Sequence, residues 1–414
     1  MPLVERFRQA GVKVELVESA PGRGNLIVRL KSASKKAHRP LLLLAHIDVV
    51  PTAGQPWTTS PFQPALRDGY LVARGVADDK SMASAIAAVA LELARARTPL
   101  GRDVIVALTA GEETGGDAGV RWLLAHRREL LDAELALNEG GSLLLDDHGE
   151  RVMSVQLQAA EKSYQSYQVT ARAGGGHSSA PDAATDPVTR LSRALVRLGD
   201  FRFPVRIEPS VREEIARLAT VESAPLGEAL RRIAAAPAAA PIAGADEALL
   251  AANRRVNALT HTTCVATMLA ASPQDNVLPT SAGATINCRI LPSETREGTL
   301  ATLRGVLGDD TLEIQPLADI GVAPPSPTSG TMSEAVRRAA TRVFPEARLV
   351  HTMGLGASDS RHLRGVGVAS YGIATAPATA TDLFTAHGPD ERRRERWLGS
   401  GTRFLRELVR ELTR

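Results

Sequence analysis

Three short, mostly apolar runs each lead into a histidine- or carboxylate-bearing cluster, and this constrains the fold more than any other feature of the 414 residues. The runs are Pro40-Leu41-Leu42-Leu43-Leu44-Ala45, Asp103-Val104-Ile105-Val106-Ala107-Leu108-Thr109 and the shorter Ala133-Glu134-Leu135-Ala136-Leu137. Runs this short and with little alternation read as strands covered on both faces. Between the first two, Lys80 to Arg97 is Ala-rich, with apolar residues at helical spacing and basic residues at its end. Val120 to Leu131 reads as another helix. Strand and helix in alternation predict an α/β domain built on a mostly parallel sheet.

The middle of the chain changes character. Ser166 to Ala171 alternates like an antiparallel strand, and Pro187 to Leu198 reads as a helix with proline in its first turn. Residues 204–260 are rich in Ala, Arg and Glu, with Pro237 and Pro241 as breakers, and read as a helical insertion with an Ala/Pro linker. Two strands (Thr262–Met268, Ala282–Ile290), a helix (Glu297–Leu307) and a strand (Thr311–Gln315) follow. Strand, helix, strand, strand, helix, strand is the ferredoxin-like order. The expectation is therefore a discontinuous catalytic domain, residues 1–158 and 325–414, interrupted by an α+β domain over 159–324.

Bulk properties narrow the class. Hydrophobic residues at 44% and charged residues at 23% are ordinary for a soluble globular chain, and 414 residues exceed one compact core. Aromatic residues are only 3%, so the core is aliphatic. A formal net charge of +3, with no basic stripe interleaved with aromatics, argues against nucleic acid as a partner. No apolar run reaches the ~20 residues that span a bilayer, so no membrane role is expected. As written, the chain reads as cytoplasmic, with a periplasmic or secreted location open if a leading signal was trimmed. The two cysteines, Cys264 and Cys288, read as buried thiols, a single disulfide being the alternative.

In open parallel sheets, ligands bind at the carboxyl ends of the strands. His46-Ile47-Asp48 follows the first run: an imidazole can ligate a metal while a nearby carboxylate holds its other nitrogen. Alone, His-x-Asp is common. Asp78-Asp79 lies at a strand-to-helix corner, where a carboxylate can bridge two cations, although Asp is also an ordinary helix cap. Gly111-Glu112-Glu113-Thr114-Gly115-Gly116 offers one glutamate to bind metal and its neighbour as general base on a water. Glu139, before Gly140-Gly141, and His387, in Thr385–Glu391, complete a set sufficient for two ions. Any one of these clusters has a bland reading; all of them together point to one shared site.

The order and separation of these motifs resemble the M20 family of metallopeptidases and aminoacylases, over nearly the whole chain from about Gly24. Leu137-Asn138-Glu139-Gly140-Gly141 and the insertion before Thr262 look most like its carboxypeptidase S and N-acyl-amino-acid hydrolase branch. The resemblance implies two divalent metal ions, zinc with Co or Mn as alternatives, held by His46, Asp78, Glu113, Glu139 and His387. It implies Glu112 as general base, Asp48 as the residue orienting His46, and an inserted lid and dimerisation domain. Gly174–Ser179 matches the motif whose histidine, His177 here, stabilises the oxyanion in a neighbouring subunit, so a homodimer is expected. Asn276 and Arg289 match residues that hold the substrate carboxylate, a task suited to arginine's planar fork, and Arg361 lies in a stretch that matches a loop lining the same pocket and is a further candidate for that task. The expected function is metal-dependent hydrolysis of a peptide or N-acyl amino acid next to a free carboxylate. The alternatives are a dipeptidase or aminopeptidase on the same site and a non-catalytic binding protein on this fold.

Overall fold

The computed structural model describes residues 2–34, 38–237, 240–272, 274–317 and 323–414. The chain forms two compact units: Met1–Ala160 with Ala323–Gly354 and Ser358–Arg414, and Glu161–Val322 with Leu355–Ala357.

The first unit is built on a nine-stranded sheet. At its centre, His38–His46 pairs in parallel with Arg102–Thr109 on one side and with Leu135–Asn138 on the other. Leu135–Asn138 in turn pairs in parallel with Ala369–Gly372. The flanks are antiparallel, through Gly24–Leu30 and Val14–Glu18 on one side and Val152–Glu161 on the other. The mostly apolar runs have a direct cause. Leu41, Leu43 and Ala45 join one core cluster, while Leu42 and Leu44 join a second on the opposite face. Helices Lys80–Ala96, Thr331–Val343 and Glu395–Leu412 supply Ile86, Val336 and Phe404 to the first cluster. Val120 and Leu123 of helix Val120–His126, with Leu363 of Ser360–Gly365, cover the other face.

The helix expected over Val120–Leu131 is shorter. It ends at His126, Arg127 leaves the helical region at φ −143° and ψ 45°, and a separate 3₁₀ turn occupies Arg128–Leu130. Leu131 and Ala133 are fully buried, which turns the chain inward toward the next strand.

The second unit carries an antiparallel four-stranded sheet in the order Thr263–Ala270, Ser281–Ile290, Ser163–Arg172, Glu313–Pro316. In chain order that is 2-3-1-4, the ferredoxin-like arrangement. Ser281–Ile290 buries every second residue, and Pro187–Asp200 and Arg296–Leu307 cover that face through Leu191, Ala194, Leu303 and Leu307. The insertion folds as four helices, Arg212–Val221, Leu226–Ala235, Gly244–Ala252 and Arg254–Thr260. Ala238 and Ala239 of the expected linker lie outside the described residues.

The expectation of free thiols at Cys264 and Cys288 is corrected: the two form a disulfide. They sit directly opposite each other on neighbouring strands, with Cα atoms 4.1 Å apart. That proximity comes from strand register, which a separation of 24 residues in sequence does not reveal.

Candidate metal centre

The connections that follow the three central strands His38–His46, Arg102–Thr109 and Leu135–Asn138, with the turn before helix Lys80–Ala96 and the loop before Arg392–Arg394, bring the acidic and histidine residues of the first unit together. His46 is the last residue of its strand and is 2% exposed. Its Nε2 lies 2.8 Å from Asp78 Oδ1 and 3.6 Å from Glu139 Oε2. The other oxygen of Asp78, Oδ2, lies 3.0 Å from His387 Nε2, which is also 3.0 Å from Glu113 Oε1. The ligand atoms of His46, Asp78 and Glu139 form one compact set, and those of Asp78, Glu113 and His387 a second, within 4.8 Å of one another in each. Asp78 belongs to both.

The helix-cap reading of the Asp pair fails. Asp79 occupies the N-cap position of Lys80–Ala96, yet its side chain caps nothing. It is 4% exposed and its Oδ2 has no hydrogen-bond partner. Asp78 turns toward the two histidines instead. The Asp78–Asp79 peptide is cis.

Asp48 does more than orient His46. The nearest acceptor to His46 Nδ1 is the main-chain carbonyl of Asp48, at 3.1 Å, with its carboxylate at 3.5 Å. That carboxylate accepts the main-chain N–H groups of Glu112 and Glu113, each at 3.2 Å. One residue thus ties the histidine to the turn that carries both glutamates. The turn is a 3₁₀ segment, Glu112–Thr114, entered through Gly111 at φ +75°. That φ favours glycine, and a Cβ at Gly111 would also crowd that of Ala118 at 3.0 Å. Glu139 is delivered similarly: at Gly141, φ +58°, a Cβ would fall 2.1 Å from the Gln156 carbonyl.

Two residues close in sequence to the metal-binding candidates, Glu391 and Arg74, have a structural part that their sequence context does not signal. Glu391 is fully buried. Its Oε1 accepts from the N–H groups of Ala77 (2.7 Å) and Asp78 (3.0 Å), and its Oε2 from Gly75 N–H (3.1 Å) and Arg74 Nη1 (2.7 Å). Arg74 Nη2 and Gln55 Nε2 both donate to the main-chain carbonyl of His387, at 3.3 and 2.8 Å. His387 adopts φ +64°, a conformation uncommon outside glycine, and these donors hold it there.

The electrostatics reflect how closely these charges are crowded together. Burial by itself would depress His46, but Asp48, Asp78 and Glu139 hold it well above the usual imidazole range. Asp78 and Glu113 raise His387 to about 10. Burial, then the Glu139 and Asp359 charges, push Glu112 up to about 9. Burial pushes Glu139 to about 7, and burial with the Glu139 charge takes Asp359 to about 7 as well. Cations beside the two Nε2 atoms would relieve this crowding. With neutral imidazoles and ionised carboxylates as donors, the set fits divalent cations that accept mixed nitrogen and oxygen ligands.

Arg361 lies in Ser360–Gly365, next to the buried Asp359, and its Nε donates to His362 Nε2 at 3.3 Å. In the second unit, Gly176–His177 pairs with Val277–Leu278, which sets exposed His177 beside Asn276. Arg289 is not with them. It lies near the end of Ser281–Ile290 remote from Ser281, with its guanidinium over Tyr164 at 4.9 Å.

Residues 42–411 match the model of peptidase family M20/M25/M40. The chain belongs to this family. It is 29% identical over 382 residues to the N-fatty-acyl-amino acid synthase/hydrolase of Mus musculus, a match spanning 90% of this chain and 74% of the relative. It is 27% identical over 373 residues to a Dictyostelium discoideum protein named "Probable carboxypeptidase S-like 2", covering 86% and 68%. Its fold is similar to the M20 family metallo-carboxypeptidase Sso-CP2 of Sulfolobus solfataricus, with TM-score 0.69 at 18% identity, covering 98% and 91% of the two chains. This M20 member is thus a hydrolytic, metal-binding enzyme with a mixed α/β fold. Among the described residues, no helix is long and apolar enough to cross a membrane.

Proposed function

We propose that this M20 enzyme hydrolyses the amide bond of an N-acyl amino acid or peptide next to a free carboxylate, with two zinc ions as cofactors and Co or Mn as substitutes. The observation that carries the reading is Asp78, whose two oxygens face two histidines, each beside a further glutamate. His46 and Glu139 would hold one ion, His387 and Glu113 the other, with Asp78 shared. Bound there, the ions supply a water acidified toward neutral pH and polarisation of the scissile carbonyl.

Glu112 is the base. It shares the Glu113 turn but is not needed in either ligand set, and Asp48 fixes its main chain. It takes the water proton and returns it to the leaving nitrogen. His177 stabilises the developing oxyanion, a contribution of a few kcal/mol in comparable sites. Asn276, Arg289 and Arg361 bind the substrate carboxylate. The eight residue steps from Ser281 to Arg289 span roughly 26 Å at strand rise. His177 and Asn276 near one end, and Arg289 near the other, therefore favour a site assembled from two copies of the chain. The second unit would then be both lid and dimerisation domain. The disulfide favours a secreted or periplasmic location over the cytoplasmic one, because cystines persist in oxidising compartments.

The test is a panel of N-acyl amino acids, dipeptides and matched C-terminal amides, with zinc and after chelation. Chelator-sensitive turnover that requires the free carboxylate is expected. Equal turnover of the amides would refute the carboxylate requirement, and activity indifferent to chelators would refute the metal reading.

A further inference from the structure

Phe384, three residues before His387, is 81% exposed, more than any other large apolar side chain among the described residues. The chain has only seven phenylalanines, and Phe7, Phe203, Phe344 and Phe404 are buried. A lone exposed apolar side chain is ordinary. This one is set apart by the frame that holds it and by the metal-site histidine beside it.

The backbone on both sides of Phe384 is anchored from behind. Helix Ala380–Leu383 opens with a capping box: Thr379 Oγ1 accepts the Asp382 N–H at 3.2 Å, and Asp382 Oδ2 accepts the Thr379 N–H at 3.3 Å. The buried Asp382 carboxylate also accepts from Arg394 Nε at 2.8 Å. The Asp382 carbonyl accepts from Thr385 Oγ1 (2.8 Å) and Arg393 Nη1 (3.0 Å). Main-chain N–H groups of Phe384, Thr385 and Gly388 each donate three residues back, so the segment turns about every three residues. From Thr381 to Gly388, the exposed positions are accordingly Thr381, Phe384 and His387. The ring thus leaves the turn on the same open side as the imidazole, whose Nε2 lies 3.0 Å from both Asp78 and Glu113.

Thr381 to Pro389 carries no Lys or Arg. A substrate carboxylate gains nothing there, whereas the uncharged acyl side of a scissile amide gains from an apolar surface. We infer that Phe384 receives the acyl chain of the substrate and sets a preference for long apolar acyl groups over short ones. This rests on the function proposed above. The ring is held in place before binding, so covering it removes apolar surface from water without the cost of ordering a loop.

The experiment is kcat/KM for N-acetylalanine and N-dodecanoylalanine, both with a free carboxylate, on the zinc-loaded full-length protein and its Phe384→Ala and Phe384→Leu variants. Removing an exposed ring leaves no cavity, so folding is not at stake. The wild type should favour the dodecanoyl compound. Phe384→Ala should lower the dodecanoyl-to-acetyl ratio about tenfold, the effect of losing about 50 Å² of apolar contact, and Phe384→Leu should lower it less. A wild type without that preference, or a ratio unaltered in Phe384→Ala, would overturn the inference. An equal loss on both substrates would make Phe384 a mere support for His387, and a changed oligomeric state with the ratio intact would place the ring between chains. A wild type that turns over neither compound would overturn the proposed function and the inference with it, so the two failures are told apart.

Discussion

Glu391 accepts the main-chain N–H of Asp78 at 3.0 Å, so a fully buried carboxylate with no place in either ligand set fixes the residue that both sets share. The same side chain anchors Arg74, which reaches the His387 carbonyl. Two loops far apart in sequence are thereby locked to each other behind the metal centre. Glu391→Gln keeps the shape but loses the charge opposite Arg74. It should weaken metal binding about 10- to 100-fold, as loss of outer supports does in other metal sites. Competition against a chelating dye measures it, and unaltered affinity would reduce Glu391 to a packing role.

Asp78 is the only side chain common to the two ligand sets. Asp78→Asn should therefore lower bound metal from two ions per chain toward one or none, as counted by mass spectrometry of the desalted protein. Two retained ions would mean that the bridge lies elsewhere.

Glu112→Gln should retain both ions while turnover falls by about 10²- to 10⁴-fold, the range for loss of a general base. Metal content and kcat must be measured on one preparation. Wild-type kcat with full metal would remove Glu112 from proton transfer.

Lys162 gives a pH prediction remote from the ligand residues. It is 1% exposed, and its Nζ donates to the carbonyls of His261 (2.6 Å) and Ala258 (3.0 Å) at the end of helix Arg254–Thr260. Burial, with the Arg289 charge, lowers it from 10.5 to about 7. Between those values the unfolded chain binds the extra proton and the folded chain does not, so this group makes stability rise with pH across that window. Lys162→Met should flatten that rise in denaturant titrations at pH 7 and pH 9. An unchanged pH slope would show that the amine stays charged in the folded protein.

The Cys264–Cys288 bridge closes a loop of 24 residues in sequence separation. A cross-link of that span stabilises by about 3 kcal/mol through the entropy of the unfolded chain. Cys264→Ser should lower stability by that order, and reductant should destabilise the wild-type protein but not the variant. Insensitivity of the wild type to reductant would mean that the pair is not formed in solution.

The sequence determined the parts of this protein that depend on local pattern. Mostly apolar runs gave the buried central strands because both faces of Leu41–Ala45 meet core. The clusters after those runs gave the acidic and histidine residues that converge, since strand ends in a parallel sheet share one edge. What only the tertiary structure decided depends on register and on contacts between distant segments. The cystine needed two strands aligned so that residue 264 faces 288. The positions of Glu391 and Arg74 behind Asp78 needed loops 317 residues apart to touch. Asp48 looked like a partner for His46 alone, yet its carboxylate holds the Glu112–Glu113 turn, 64 and 65 residues away. Hydrogen bonds between segments leave no periodicity in the chain, so no reading of spacing reveals them.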